Sequence, residues 1–142
     1  MRFIMIRKAD EETEAGALPT RELVEAMGRY HDEMVSAGVL LTGEGLHPTR
    51  NAVRVSFSGG RPTVIDGPFT ETKELVAGFT VIQVDSREEA LEWAKRWPPL
   101  DGGGKVQIEL RQVYEAEDFG EEFTADMKAM QEQLRTGAAA NR

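Results

Sequence analysis

The sequence predicts an α+β domain built on an antiparallel sheet. Three observations carry this. Short apolar runs near both ends of the chain read as strands, two apolar stripes at helical spacing lie between strands, and Gly59-Gly60 marks a hairpin in the middle.

The elements follow in chain order. Phe3-Ile4-Met5-Ile6 is a β-branched, apolar run and reads as a buried first strand. Lys8 to Pro19 carries Asp10, Glu11, Glu12, Glu14 and Gly16, and reads as a solvated loop. Thr20 then caps a helix, with Glu22 and Glu25 near its positive end. Leu23, Met27, Tyr30, Met34 and Ala37 fall in one stripe of that helix, and Gly38 stops it. A second strand starts at Val39 and ends near His47-Pro48. Val53, Val55 and Phe57 alternate with Arg54, Ser56 and Ser58, which predicts a half-exposed strand. Thr63-Val64-Ile65 returns from the hairpin, and Phe79 to Val84 is the next strand. Ser86-Arg87-Glu88-Glu89 is a capping box for a helix that buries Ala90, Trp93, Ala94 and Trp97 and ends at Pro98-Pro99. Gly102-Gly103-Gly104 is a turn, and Val106, Ile108 and Leu110 mark the last strand. Phe123, Met127, Met130 and Leu134 predict an amphipathic C-terminal helix, with 137–142 fraying.

With the hairpin and the C-terminal helix set aside, the order is strand-helix-strand-strand-helix-strand, the ferredoxin-like arrangement. Its two helices cover one sheet face and leave the other bare. A second copy packed sheet against sheet is the simplest cover, giving a dimeric α/β barrel with the C-terminal helix as a clasp. The expected division is residues 1–118 for the domain and 119–142 for the C-terminal helix and tail.

Composition narrows the function. The chain has 142 residues, enough for one domain with its own core. It has no cysteine, which excludes disulfides, a thiolate nucleophile and Cys-ligated metals. A net charge of −8 argues against nucleic-acid or membrane-surface partners. No apolar run is long enough to span a bilayer, and the N-terminus reads as a strand and not a signal peptide. A cytoplasmic location is the expectation. No metal motif, Ser-His-Asp order, dinucleotide fingerprint or Walker motif is visible, so no cofactor is expected.

The candidate chemistry lies in a few side chains. Asp66, on the turn Asp66-Gly67-Pro68-Phe69, is either an acid/base or a turn residue accepting backbone N–H bonds. His31 sits about 80° around the helix from Leu23, at the edge of the apolar stripe, where a half-buried imidazole faces the sheet; otherwise it is a boundary histidine bonded to a carbonyl or water. His47 lies in a loop and reads as solvated. Tyr30 is core first, and its hydroxyl needs a partner such as Asp66, Glu44 or a ligand. Glu44 stands between Gly43 and Gly45, which leaves room beside it. Phe69 is a large apolar anchor on the turn. Lys73, with Glu71 and Glu74, forms a charged rim or plain surface ion pairs.

Asp66-Gly67-Pro68-Phe69 with Glu71, Lys73, Glu74 and Gly78-Phe79 resembles the signature of the DGPF-domain branch of the bacterial YCII-related proteins. Met27 to Leu46 and Asp85 to Ala90 resemble that family's helix-to-strand segment and second helix start. The likeness runs over residues 1–115. It implies a ferredoxin-like α+β dimer, akin to muconolactone isomerases and small monooxygenases, with no assigned activity. The resemblance also implies a His–Asp pair in a cleft, for which His31 and Asp66 are available, and a link to sigma-factor signalling. Two functions are therefore expected. One is a small-molecule enzyme with His31 and Asp66 as the catalytic pair and Tyr30, Glu44, Phe69 and Lys73 around the substrate. The other is a non-catalytic ligand-binding or regulatory homodimer.

Overall fold

A computed structural model describes residues 1–140. In chain order the elements are β1 (Arg2–Lys8), a short α1 (Glu11–Glu14), α2 (Arg21–Ser36), β2 (Leu40–Gly45), β3 (Val53–Ser58), β4 (Arg61–Asp66), β5 (Val76–Gln83), α3 (Arg87–Lys95), β6 (Ile108–Gln112) and α4 (Glu121–Ala140). β1 pairs antiparallel with β5 on one side and β6 on the other, and β2 adds to β5, so the order is β2-β5-β1-β6. This is the ferredoxin-like α+β fold. β3 and β4 form a separate two-stranded sheet. The four-stranded sheet is open; the barrel expected from the sequence is not formed within one chain.

Alternation along β1 sorts the two faces. Phe3, Met5 and Arg7 are buried beneath the helices, while Ile4 and Ile6 are half-buried on the bare face with Phe79 and Val81. Met5 and Met34 are fully buried, and Tyr30, Ile82, Trp93 and Trp97 complete the core around them. Each such apolar side chain contributes about 1.5–3 kcal/mol by leaving water. Thr20 caps α2 by accepting from the Leu23 N–H at 3.2 Å, and Ser86 caps α3 by accepting from that of Glu89 at 3.1 Å. The α3 cap differs from the expected box in one bond: the Glu89 carboxylate accepts from Asp85 N–H.

Three expectations need correction. The acidic stretch after β1 is not all loop, because Asp10 and Thr13 form a reciprocal cap that nucleates α1. The β3–β4 hairpin is not half-buried either: residues on both of its faces are exposed. It leaves the domain as an arm. Gly59 and Gly60, with φ of 57° and 80°, supply its left-handed turn. The C-terminal helix continues to Ala140, past the point where fraying was expected at Gly137; residues 141–142 of that expected tail lie outside the described residues. No helix among the described residues is long and apolar enough to cross a membrane.

Arg7 is the charged member of the buried row. Its guanidinium donates to both Asp101 oxygens at 3.1 and 2.7 Å, to the Lys8 carbonyl at 2.8 Å and to Asp10 at 3.2 Å. Asp101 also accepts from the Trp97 indole N–H at 3.0 Å. Burial pushes the Asp101 carboxyl up, but the bonds from Arg7 and Trp97 and the Arg7 charge outweigh it and hold the group below the usual carboxylate range.

The arm is rooted by the Asp66-to-Phe69 turn. Gly67 N–H donates to the Ala52 carbonyl at 2.9 Å, and Phe69 N–H to the Thr49 hydroxyl at 3.0 Å. That hydroxyl in turn donates to Glu14 of α1 at 2.6 Å. Arg54 lies 3.7 Å over the Phe69 ring. A Cβ at Gly67 would collide with the Thr49 carbonyl oxygen, so only glycine fits there.

Because the Asp101 carboxyl is depressed in the fold, its stabilisation is full above the unfolded value near pH 4 and is lost as pH falls through the lower folded value. Asp101→Asn should cost about 3 kcal/mol at neutral pH by removing the buried carboxylate opposite Arg7 and leaving it only Asp10 as a charge partner, and should flatten the acid limb. Urea unfolding at stepped pH checks this; an unchanged acid limb in the variant refutes it. Gly67→Ala should cost about 1–3 kcal/mol through overpacking, whereas Gly45→Ala, with open space beside it, should be nearly neutral. Thermal unfolding of the two variants compares them directly.

Candidate functional site

On the helix-covered face, the β2 edge of the sheet borders a cleft of about 630 Å³, a size that suits a metabolite. Its walls come from α2, residues 16–20, β2, β5 and the turn after α3. Helical spacing explains the α2 wall. Leu23, Met27 and His31 are four residues apart, so they stand in one row above the sheet. Tyr30 and Met34, further along, are already packed into the core. The cleft begins where the stripe outruns its partners.

His31 is half-buried in this row. Its ring stacks on Tyr30, with centroids 6.2 Å apart and planes 24° apart. Its Nε2 is shielded from water and has no hydrogen-bond partner. Across from it on the sheet are Gly43 and Thr80, which are register partners on β2 and β5. A Cβ placed on Gly43 would lie 3.6 Å from His31 Nε2 and 3.4 Å from the Thr80 hydroxyl. Glycine at this position therefore keeps a side chain out of contact with that nitrogen. Arg7 and Asp101 form part of the wall, their charges already matched to each other.

The structure does not bring His31 and Asp66 together. Asp66 ends β4 opposite Val53, is exposed, and is not among the residues around the cleft. Adjacency to a turn located the carboxylate in the chain but not the surface to which the arm carries it. Tyr30 does not reach toward a ligand. Its hydroxyl donates to the Trp93 carbonyl at 2.6 Å, and burial pushes its pKa up to about 12. Glu44 borders the cleft, but it pairs with Phe79, one step out of phase with Gly43 and Thr80, so its side chain projects to the bare sheet face. Phe69 is held under Arg54 at the arm's root, and Lys73 is exposed on a 3-10 turn at Thr72–Glu74. His47 is exposed at the rim, 3.1 Å from Asn51 Nδ2.

Arg7, Gly43, Thr80 and Asp101 were missed as site residues. The Arg7 signal was present, since it continues the Phe3-Met5 alternation onto the buried face. Asp101 carried no local signal. Among the described residues, no group of three or more His, Cys, Asp or Glu could hold a metal ion.

The model of the YCII-related domain matches residues 1–116. An uncharacterized protein of Rhizobium meliloti (strain 1021) is 44% identical over 61 residues, which are 43% of this chain and 49% of that protein; the chain thus spans about half the length of this curated relative. Among solved structures, the chain is similar to 5-chloro-2-hydroxyhydroquinone dehydrochlorinase from Burkholderia phenoliruptrix AC1100 in complex with 2,5-dihydroxybenzoquinone. That likeness has a TM-score of 0.46 and 13% identity over 83% of this chain and 98% of the other. With the family model covering the whole ferredoxin-like unit, the chain belongs to the YCII-related domain family.

Proposed function

We propose that this chain is a small-molecule enzyme that moves a proton through Nε2 of His31, acting on a largely apolar ligand in the cleft. The observation that carries the reading is the buried, partnerless Nε2 in the wall of a metabolite-sized cleft. An unpaired buried polar atom costs about 1–3 kcal/mol, and such atoms are few in folded proteins. A ligand atom bonded to Nε2 recovers that cost on binding. Imidazole is also the side chain suited to giving and taking protons near neutrality. Stacking on Tyr30 holds the ring before a ligand arrives.

The surroundings define the ligand. Leu23 and Met27 favour an apolar body and exclude water, while the Thr80 hydroxyl is a second polar group beside Nε2. A compact molecule with one carbonyl or hydroxyl on an apolar frame meets these terms. Within the family, we place the chain in the DGPF-type branch on Asp66 to Phe69, Glu71, Lys73, Glu74 and Gly78-Phe79. The hydrogen bonds that root this motif to Thr49 and Ala52 support a structural role for it.

Incubation in D2O with a panel of acidic, aromatic and carbonyl-bearing metabolites, followed by mass spectrometry, tests the proposal. Wild type should wash deuterium into one panel member or convert it. His31→Asn should lower that rate about 10²-fold or more. Gly43→Ala should do the same by placing a side chain in contact with Nε2 while leaving thermal stability nearly unchanged. A ligand that raises the melting temperature yet is neither exchanged nor converted indicates a non-catalytic binding module. Equal rates in wild type and His31→Asn refute the assignment.

A further inference from the structure

Among the described residues, three apolar surfaces lack a cover. One is the bare sheet face with Ile4, Ile6, Phe79 and Val81. The second is one side of the arm, where Val53, Val55 and Phe57 stand with their cross-strand partners Val64 and Pro62. Phe57 is 71% exposed and Val64 63%. The third is α4, where Phe123, Met127, Met130 and Leu134 follow at intervals of four, three and four; Leu134 is 67% exposed. A two-stranded hairpin with neither face covered is marginal in water.

The total area says how much cover is missing. The chain exposes 10287 Å². A compact monomer of 15.8 kDa exposes about 7,300 Å², so the excess is about 3,000 Å² per chain. Two copies that brought each other to the compact value would bury about 6,000 Å² together, the scale of an obligate homodimer.

We propose that the arm of one copy docks its apolar side on α4 of a second copy, reciprocally, about a two-fold axis. The two stripes match in length. Five strand positions, Val53 to Phe57, span about 14 Å, and the α4 row from Phe123 to Leu134 spans about 16 Å. The narrow four-three-four spacing makes a seam one side chain wide, which fits a two-stranded ribbon better than a broad sheet. One chain thus holds both halves of the contact, and a closed two-fold covers both stripes in each copy while the bare sheet faces meet each other. The rigid root of the arm at Thr49 and Phe69 aims it outward. Nothing in this assignment depends on the chemistry of His31.

The chain has no cysteine, so cross-linking gives a clean test. Two differently tagged pools, Phe57→Cys and Leu134→Cys, are mixed, allowed to exchange and oxidised. A covalent dimer carrying both tags, formed faster than in either pool alone, is the expected result. Light scattering should give twice 15.8 kDa for wild type. Phe57→Glu should weaken that dimer about hundredfold with an unchanged circular dichroism spectrum, because this side chain is mostly exposed within one copy. Val35→Glu, on the outer side of α2 and 62% exposed, should leave the dimer intact. A monomer at all concentrations, or mixed pools that link no faster than single ones, overturns the proposal.

Discussion

The side-chain alternation of β1 is the constraint from which the rest of the helix-covered face follows. The strand is hydrogen-bonded on both sides, so its residues have only two directions to take. Phe3 and Met5 join Tyr30, Met34 and the tryptophans in the core. Arg7 follows in the same row and is carried beneath the helices with them. An unpaired guanidinium there would be costly, and Asp101 meets it with two bonds while also accepting from Trp97. That pairing ties the turn after α3 to the central strand and so builds one wall of the cleft.

The opposite wall comes from a mismatch of lengths. α2 is sixteen residues long, and its apolar row extends beyond the packed part of the core. Its second half is packed by Tyr30 and Met34; Met27 touches the edge of that core, and with Leu23 it stays half-buried along the cleft. His31 stands at that junction, its ring against Tyr30 and its Nε2 beside Gly43. A polar atom left unpaired in this place is where ligand binding yields the largest return in hydrogen bonding.

The remaining features point outward. The Asp66-to-Phe69 turn, whose chemistry looked most specific in the sequence, serves as the root of an arm. Gly67 is required by the closeness of the Thr49 carbonyl, and Phe69 by its place beneath Arg54. A motif can therefore be distinctive because backbone must pass close to backbone, with no reacting group involved. Asp66 shares the arm side that carries Val53 and Val55 and takes no part in the wall of the cleft.

Much of the fold was legible in the residues themselves. Alternation in β1, the α2 stripe, the Thr20 and Ser86 caps and the Gly59-Gly60 turn are each encoded within one element, where neighbours along the chain decide the conformation. The edge position of His31 was legible for the same reason, since 100° per residue places it beside the stripe. Tyr30 was read correctly as core, but its hydroxyl's partner, the Trp93 carbonyl, lies 63 residues away. Arg7 and Asp101 are 94 residues apart, and no local pattern links them. Such meetings, like the opening of the cleft and the outward course of the arm, are decided only when the whole sheet closes and separate elements compete for the same buried space.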